Sequence, residues 1–240
     1  MKKLLLALSL LSGVSGAEYL AKTEPLFKYS IAAAVSGQVM LADENEEGKI
    51  SDKIIVRIDD RIDRINHAVA QESYKNLKEI YETKRSMYEK IAAMTTKSQT
   101  EKDTEKISLL TAKNSMESAR YQMENLADII NKKQLSAQGL YVYDIAVIEG
   151  NNVAPGTKIA ELHDVSGSRL VIFVSRQVLD MLDNATIIVD GKADAYRIDK
   201  VWRETDAEFI SSYRVELVGP APKTFSQIAK IEIIPNKQDK

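Results

Sequence analysis

The sequence predicts an elongated α+β protein: a small β-sandwich that is split by a long antiparallel α-helical (coiled-coil) hairpin and followed by a small antiparallel β-barrel. Three observations favour this class. One strand-and-turn pattern occurs twice, on either side of a central segment. That segment, residues 61–133, contains neither Gly nor Pro and is rich in helix-forming residues. The residues after 167 form short apolar runs that are bounded by turn residues.

The pattern that occurs twice is a small-residue lead into a Gly, an apolar strand, an acidic residue followed by Gly, and a second strand. Its first copy is residues 31–59, with the turn at Glu47-Gly48. Its second copy is residues 135–162, with the turn at Glu149-Gly150. Each copy is half of a sandwich. The two copies must therefore meet again across the central segment, which predicts one domain made from both.

Apolar residues at steps of three and four predict two antiparallel helices in the central segment. The second helix has the seam Leu109, Ala112, Met116, Ala119, Met123, Leu126 and Ile130. The expected seam of the first helix is Ile58, Ile62, Ile65 and Val69, then, after a slip of register, Tyr74, Leu77, Tyr81, Tyr88 and Ile91. Ser98 and Glu101 fit a capping box that would start the second helix. One continuous helix is the alternative, but the nearly equal arms disfavour it.

The rest of the chain predicts short strands, a lead-in segment and a polar tail. Strands are expected at 168–174, 185–189, 195–198, 213–218 and 228–234, with a short helix at 176–182. We expect Trp202 in the core of the barrel that these strands would form. Residues 18–30 show no clear period and are expected to be a lead-in segment, and residues 236–240 a polar tail.

The N-terminus has the parts of a secretory signal peptide. A basic start is followed by a short apolar run and a small-residue end at Ala17. The apolar run is shorter than the about 20 residues that a transmembrane helix needs. We therefore predict that residues 1–17 are a signal peptide cleaved after Gly16 or Ala17, with an uncleaved anchor as the alternative. The mature chain is then expected outside the cytoplasm.

The composition excludes several kinds of chemistry. The chain has no cysteine, so disulfides, thiolate metal sites, Cys nucleophiles and a lipid-modified N-terminal Cys are all excluded. It has two histidines, His67 and His163, which we expect to be surface or hydrogen-bonded residues rather than zinc ligands. Met87, Met94, Met116 and Met123 are expected to pack in the core of the hairpin rather than to bind a soft metal. The 33 basic and 35 acidic side chains do not favour nucleic acid. No catalytic, cofactor-binding or metal-binding residue is predicted.

The parts and their order resemble the periplasmic adaptor proteins, also called membrane fusion or HlyD-like proteins, of tripartite efflux systems. The resemblance covers residues 30–235, and its most specific stretch runs from Gly139 to Leu162 and on through residues 168–174. It implies a lipoyl-like (barrel-sandwich hybrid) domain at 31–60 and 134–166, an α-helical hairpin at 61–133 and a β-barrel at 167–235. Many relatives also have a membrane-proximal fourth domain, which we expect to be missing or minimal here because few residues flank the predicted domains.

The resemblance implies a non-enzymatic function in transport. An adaptor of this family bridges an inner-membrane transporter to a TolC-like outer-membrane channel, and several copies form a ring. The transporter class that we favour is resistance-nodulation-division, and an ABC-type or metal-efflux system is the alternative. The implied location is the periplasm, with attachment to the inner membrane through partners. The alternative from another class is a non-transport coiled-coil accessory or carrier domain, although no Lys occupies the turn that carries a cofactor in carrier domains.

The resemblance also places a channel contact at the hairpin tip. The residues that it assigns to this contact are Met87, Ile91, Met94, Thr95 and Ser98. Ile91 and Ser98 fit the Leu and Ser positions of many relatives. Met87 stands where those relatives carry Arg, and Arg85 lies close by but off the pattern.

Overall fold

The computed structural model describes residues 16–236, which divide into two compact units. The hairpin unit is residues 29–162, and the terminal unit is residues 16–28 together with residues 163–236. The structure confirms the predicted combination of one helical hairpin with antiparallel sheets. Apart from Gly16 and Ala17, the predicted signal peptide lies outside the described residues.

The helices and strands of the two units have the following bounds. The helices are α1 (Arg61–Ala93), α2 (Gln99–Lys132) and α3 (Arg176–Leu179). The strands are β1 (Ala17–Lys22), β2 (Glu24–Ala32), β3 (Gly37–Ala42), β4 (Ile50–Ser51), β5 (Ile54–Ile58), β6 (Gln134–Ser136), β7 (Leu140–Ile145), β8 (Asn152–Val153), β9 (Lys158–Val174), β10 (Ala185–Val189), β11 (Lys192–Ala193), β12 (Arg197–Thr205), β13 (Tyr213–Pro220) and β14 (Ile228–Pro235).

Reciprocal hydrogen bonds join the two copies of the sequence pattern in the hairpin unit. The Gly48 N–H donates to the Val142 carbonyl at 2.9 Å, and the Gly150 N–H donates to the Val39 carbonyl at 2.9 Å. Both glycines have a positive φ, a conformation that Gly adopts without steric cost. Val39 and Val142 are fully buried in one core that both copies share. Each copy therefore completes the hydrogen bonding of the other.

The seam of α2 lies where its sequence places it. Ala112, Met116 and Ala119 are buried, and the other four residues of that seam are half-buried. The same steps continue outward beyond the apolar residues, through Glu105 towards the tip and through Lys133 at the base, both half-buried. The seam of α2 therefore spans the whole helix and ends in charged side chains.

The expected seam of α1 is wrong in its first half. Ile62, Ile65 and Val69 face solvent, with exposures of 67%, 60% and 66%. From the start of α1 to Ile91, the buried and half-buried positions are instead Asp63, His67, Ala70, Tyr74, Leu77, Tyr81, Lys84, Tyr88 and Ile91. These positions step four and three throughout, so α1 has no slip of register. The three β-branched residues, which we call the outer stripe, misled the prediction because they are more apolar than the seam residues beside them.

Charged and amide side chains close the base of the hairpin. The Lys133 Nζ donates to the Asp63 Oδ2 at 2.5 Å and to the Asp59 carbonyl at 2.7 Å. The Asp60 carboxylate accepts from the Arg64 Nε at 2.9 Å and from the Gln134 Nε2 at 3.1 Å. Because these bonds join the start of α1 to the residues that follow α2, they hold the two helix ends together.

The expected lead-in segment, residues 18–30, forms β1 and most of β2, which the sequence does not predict. β1 pairs antiparallel with β14 in a register that runs from Ala17 opposite Ile233 to Lys22 opposite Ile228. Ala21 is buried, but Leu20, the largest aliphatic residue of β1, is exposed. The alternation of apolar and polar residues is therefore weak in the sequence, which is why it shows no clear period.

The terminal unit holds antiparallel strands around one hydrophobic core. β14 lies between β1 and β10, and β13 pairs with both β12 and the second half of β9. The largest fully buried residues of this core are Leu170, Val174, Val215, Leu217, Ile231 and Ile233. Two expectations fail here: the strand expected at 195–198 begins at Arg197 and continues to Thr205, and the predicted core residue Trp202 lies outside the core. Trp202 is half-buried, and the Arg214 guanidinium lies 4.7 Å from its ring centroid.

Two lysine substitutions test the register of α1. Ala70→Lys should lower the free energy of unfolding by more than about 2 kcal/mol, because it forces a charge into the seam. Ile65→Lys, the matched control on the outer stripe, should change it by less than about 0.5 kcal/mol. Urea unfolding followed by far-UV circular dichroism measures both. The opposite order would show that the outer stripe is the seam.

Candidate functional site at the hairpin tip

A five-residue connection, residues 94–98, joins α1 to α2. The Met94 N–H donates to the Ile91 carbonyl at 3.1 Å, and the Lys102 Nζ donates from α2 to the Ala92 carbonyl at 3.0 Å. The carbonyls at the end of a helix lack partners within the helix and carry its negative partial charge. A lysine of the second helix therefore caps the first, which fixes the two helix ends relative to each other.

The capping box at the start of α2 is present. The Ser98 N–H donates to the Glu101 Oε2 at 2.9 Å, and the Glu101 N–H donates to the Ser98 Oγ at 3.3 Å. The Lys97 Nζ also donates to the Glu101 Oε1 at 2.8 Å. Lys97 first, and then the Ser98 backbone and hydroxyl, lower the pKa of Glu101 from 4.5 to about 2. These bonds stabilise a compact connection without apolar burial.

The structure brings all five residues assigned to the channel contact to the tip end of the hairpin. Met87 and Met94 are exposed, so the expectation that they pack in a core is wrong for both. Thr95 and Ser98 are exposed in the connection, and Ile91 is half-buried at the end of the seam. The tip therefore presents two flexible thioether side chains and two hydroxyl groups around one aliphatic residue.

A shallow pocket of about 200 Å³ lies at the tip. It is lined by Ile91, Lys97, Thr100, Glu101, Thr104 and Glu105. The Glu105 Oε2 is buried and has no hydrogen-bond partner among residues 16–236. Lys97 lies close enough for its pKa to be raised in small part by the charge of Glu105, but its hydrogen bond goes to Glu101.

Sequence reasoning did not identify Lys102 and Glu105 as residues of the tip. The signal that could have found them is the spacing of the α2 seam, because three- and four-residue steps backwards from Leu109 reach Glu105 and then Lys102. A search restricted to apolar residues ends at Leu109. The charged ends of the seam are therefore visible only when the period is extended across polar residues.

The described residues offer little for other chemistry. Between residues 16 and 236, no three His, Asp or Glu side chains lie together in a group that could hold a metal ion. None of the helices in that range is long and apolar enough to cross a membrane.

Comparison with known proteins gives matches among solved structures. No family model matches the chain, and no curated protein matches it. A membrane fusion protein of Streptococcus pneumoniae R6, Spr0693, has a TM-score of 0.64 at 7% identity, with 92% of this chain and 100% of that chain covered. A MacA–MexA chimera that contains the Pseudomonas aeruginosa MexA α-hairpin domain has a TM-score of 0.65 at 15% identity, with 92% and 81% covered.

A third solved structure has a similar fold. A candidate efflux transporter of Bacteroides eggerthii DSM 20697 has a TM-score of 0.66 at 16% identity, with 92% of this chain and 69% of that chain covered. The fold is that of the membrane fusion proteins. The resemblance inferred from the sequence is thus confirmed at the level of the fold, and the lipoyl-like and barrel assignments within it stay predictions.

Acid titration tests the hydrogen bonds of the capping box. Because folding lowers the pKa of Glu101 to about 2, its contribution to stability should be fully present above about pH 4.5 and lost as the pH falls through about 2. Lys97→Met should move the pKa of Glu101 upwards, since Lys97 is the largest cause of the shift. Carboxyl NMR titration measures it, with the exposed Lys90→Met as control. A wild-type pKa near 4.5 would contradict the capping geometry.

Proposed function

We propose that this chain is the periplasmic adaptor subunit of a tripartite efflux pump, which bridges an inner-membrane transporter to a TolC-like outer-membrane channel. The hairpin carries this proposal. Its helices have 33 and 34 residues, which corresponds to a length of about 50 Å at 1.5 Å per residue. A continuous seam makes such a pair stiff along its axis, while its charged faces stay hydrated. The hairpin, residues 61–132, makes up 72 of the 240 residues of the chain.

In this proposal the tip binds the channel. Helix ends that are already capped can approach other helix ends without leaving backbone groups unpaired. Met87 and Met94 adapt to the shape of a partner because thioether side chains are flexible, and the hydroxyls of Thr95 and Ser98 can exchange water for partner groups. The tip therefore suits a contact that is made and broken repeatedly.

The outer stripe supports assembly into a ring. Ile62, Ile65 and Val69 lie on one face of α1, and each is at least 60% exposed. Adjacent exposed apolar side chains of this kind suit a contact with another chain. A neighbouring copy that packs along this face would cover them. Copies arranged in this way would enclose a conduit between the transporter and the channel.

The transporter contact is proposed for the terminal unit. The loop between β12 and β13 exposes Phe209 and Ile210. Its conformation is fixed by Asp206, whose Oδ1 accepts from the Glu208 and Phe209 N–H groups at 2.9 and 3.1 Å. An ordered loop with adjacent exposed apolar side chains is suited to binding another protein. We favour a transporter of the resistance-nodulation-division class, with an ABC-type or metal-efflux system as the alternative.

Photocrosslinking in intact cells tests both contacts. A photoreactive amino acid at Thr95 should form adducts with an outer-membrane channel, and one at Ile210 should form adducts with an inner-membrane transporter. A probe at Lys113, which is exposed midway along α2, is the matched control and should capture neither. Mass spectrometry of the adducts names the partners and decides the transporter class.

Two results would contradict the proposal. If the probes at Thr95 and Ile210 capture no membrane protein, the proposed bridging function is wrong. Biotin or lipoate found on the purified chain by intact mass would favour the carrier alternative instead.

A further inference from the structure

Glu105 is a carboxylate in a position that the seam normally gives to an apolar residue. It lies four residues before Leu109 in the seam of α2, at the level where α1 contributes Ile91 to the tip pocket. Its Oε2 is buried and receives no hydrogen bond from the described part of the chain. An unpaired buried carboxylate oxygen is unfavourable, so a group that remains in this state needs an explanation.

The cations nearest the pocket already have other partners. Lys97, which lines it, donates to Glu101 at 2.8 Å. Lys102, one turn before Glu105, donates to the Ala92 carbonyl at 3.0 Å. Moving either lysine to Glu105 would break the capping of α2 or of α1. Glu105 is therefore the charged group of the pocket that keeps one oxygen, Oε2, without a hydrogen-bond partner among the described residues.

The pocket has the size and lining for one cationic side chain. Its volume of about 200 Å³ accommodates a single guanidinium or ammonium group with the methylenes next to it. Ile91 offers an apolar wall for those methylenes, and Thr100 and Thr104 offer hydroxyl oxygens. The last torsion of a glutamate side chain is broad and roughly two-fold, so either oxygen of Glu105 can turn towards the pocket.

We propose that the tip pocket receives an Arg or Lys side chain of the outer-membrane channel and that Glu105 is its counter-ion. The inference rests on the proposed function, because it takes the tip to be the channel contact. It assigns the sign of the recognition charge: the carboxylate belongs to this chain, and the cation belongs to the partner. Such a pair adds specificity, because a partner without the cation would bury Glu105 unpaired.

The test compares two isosteric neutralisations near the tip in full-length protein that carries the photoprobe at Thr95. Glu105→Gln should lower the yield of the channel adduct at least tenfold. Glu89→Gln, the matched control, removes an exposed carboxylate of α1 whose nearest partner is Arg85 at 3.8 Å, and should leave the yield within about twofold. Far-UV circular dichroism of both variants should match the wild type, since neither change removes an apolar contact.

A charge swap completes the test. Glu105→Lys should abolish the adduct, and replacing the Arg or Lys of the channel that lies nearest the crosslinked residue with Glu should restore it. An undiminished adduct in Glu105→Gln would overturn the role of Glu105 and leave the channel contact in place. A wild-type probe that captures only a second copy of this chain, or nothing, would overturn the inference and the proposed function together.

Discussion

The structure of the hairpin unit depends on the contact between the residues that precede α1 and those that follow α2, which are more than seventy positions apart in the sequence. The chain leaves the sheet after β5 and returns at β6, and Lys133 joins these points. Its Nζ bonds both the Asp63 carboxylate and the Asp59 carbonyl, and its own carbonyl accepts from the Ile58 N–H at 2.8 Å. Because the Lys133 and Asp63 side chains are largely buried, losing one would leave the other charge poorly solvated. This clamp fixes where both helices begin.

The rest of the hairpin follows from that fixed base. With both helix ends anchored, one seam with three- and four-residue steps can run without a slip from Asp63 to the tip, where Lys102 and Glu101 cap the helix ends. Apolar packing supplies the stiffness in the middle, and polar groups supply the geometry at both ends. At the tip, the Glu105 Oε2 has no hydrogen-bond partner among residues 16–236. The proposed bridging function therefore rests on two features: a hairpin with a continuous apolar seam, and a carboxylate oxygen at its tip that can accept a hydrogen bond from a partner.

Much of this plan could be predicted from the sequence, and the failures have physical causes. The split pattern, the hairpin and the capping box of Ser98 were predicted because they rest on local rules of turns, periods and caps. The seam of α1 was misassigned because Ile62 and Ile65 are more apolar than the buried Ala70. The strand β1 was missed because its pairing with β14 comes from the far end of the chain. Glu105 is missed because a search of the α2 seam that is restricted to apolar residues stops at Leu109, one step before Glu105.

A double-mutant cycle on the clamp is the most direct test of this account. The free energies of unfolding of Lys133→Met, Asp63→Asn and the double variant would be compared with that of the wild type by urea unfolding. If the clamp fixes the base of the hairpin, the two residues should be coupled by about 1–3 kcal/mol. Effects that add to within about 0.5 kcal/mol would mean that the two residues act independently, and the account of the hairpin base would be wrong.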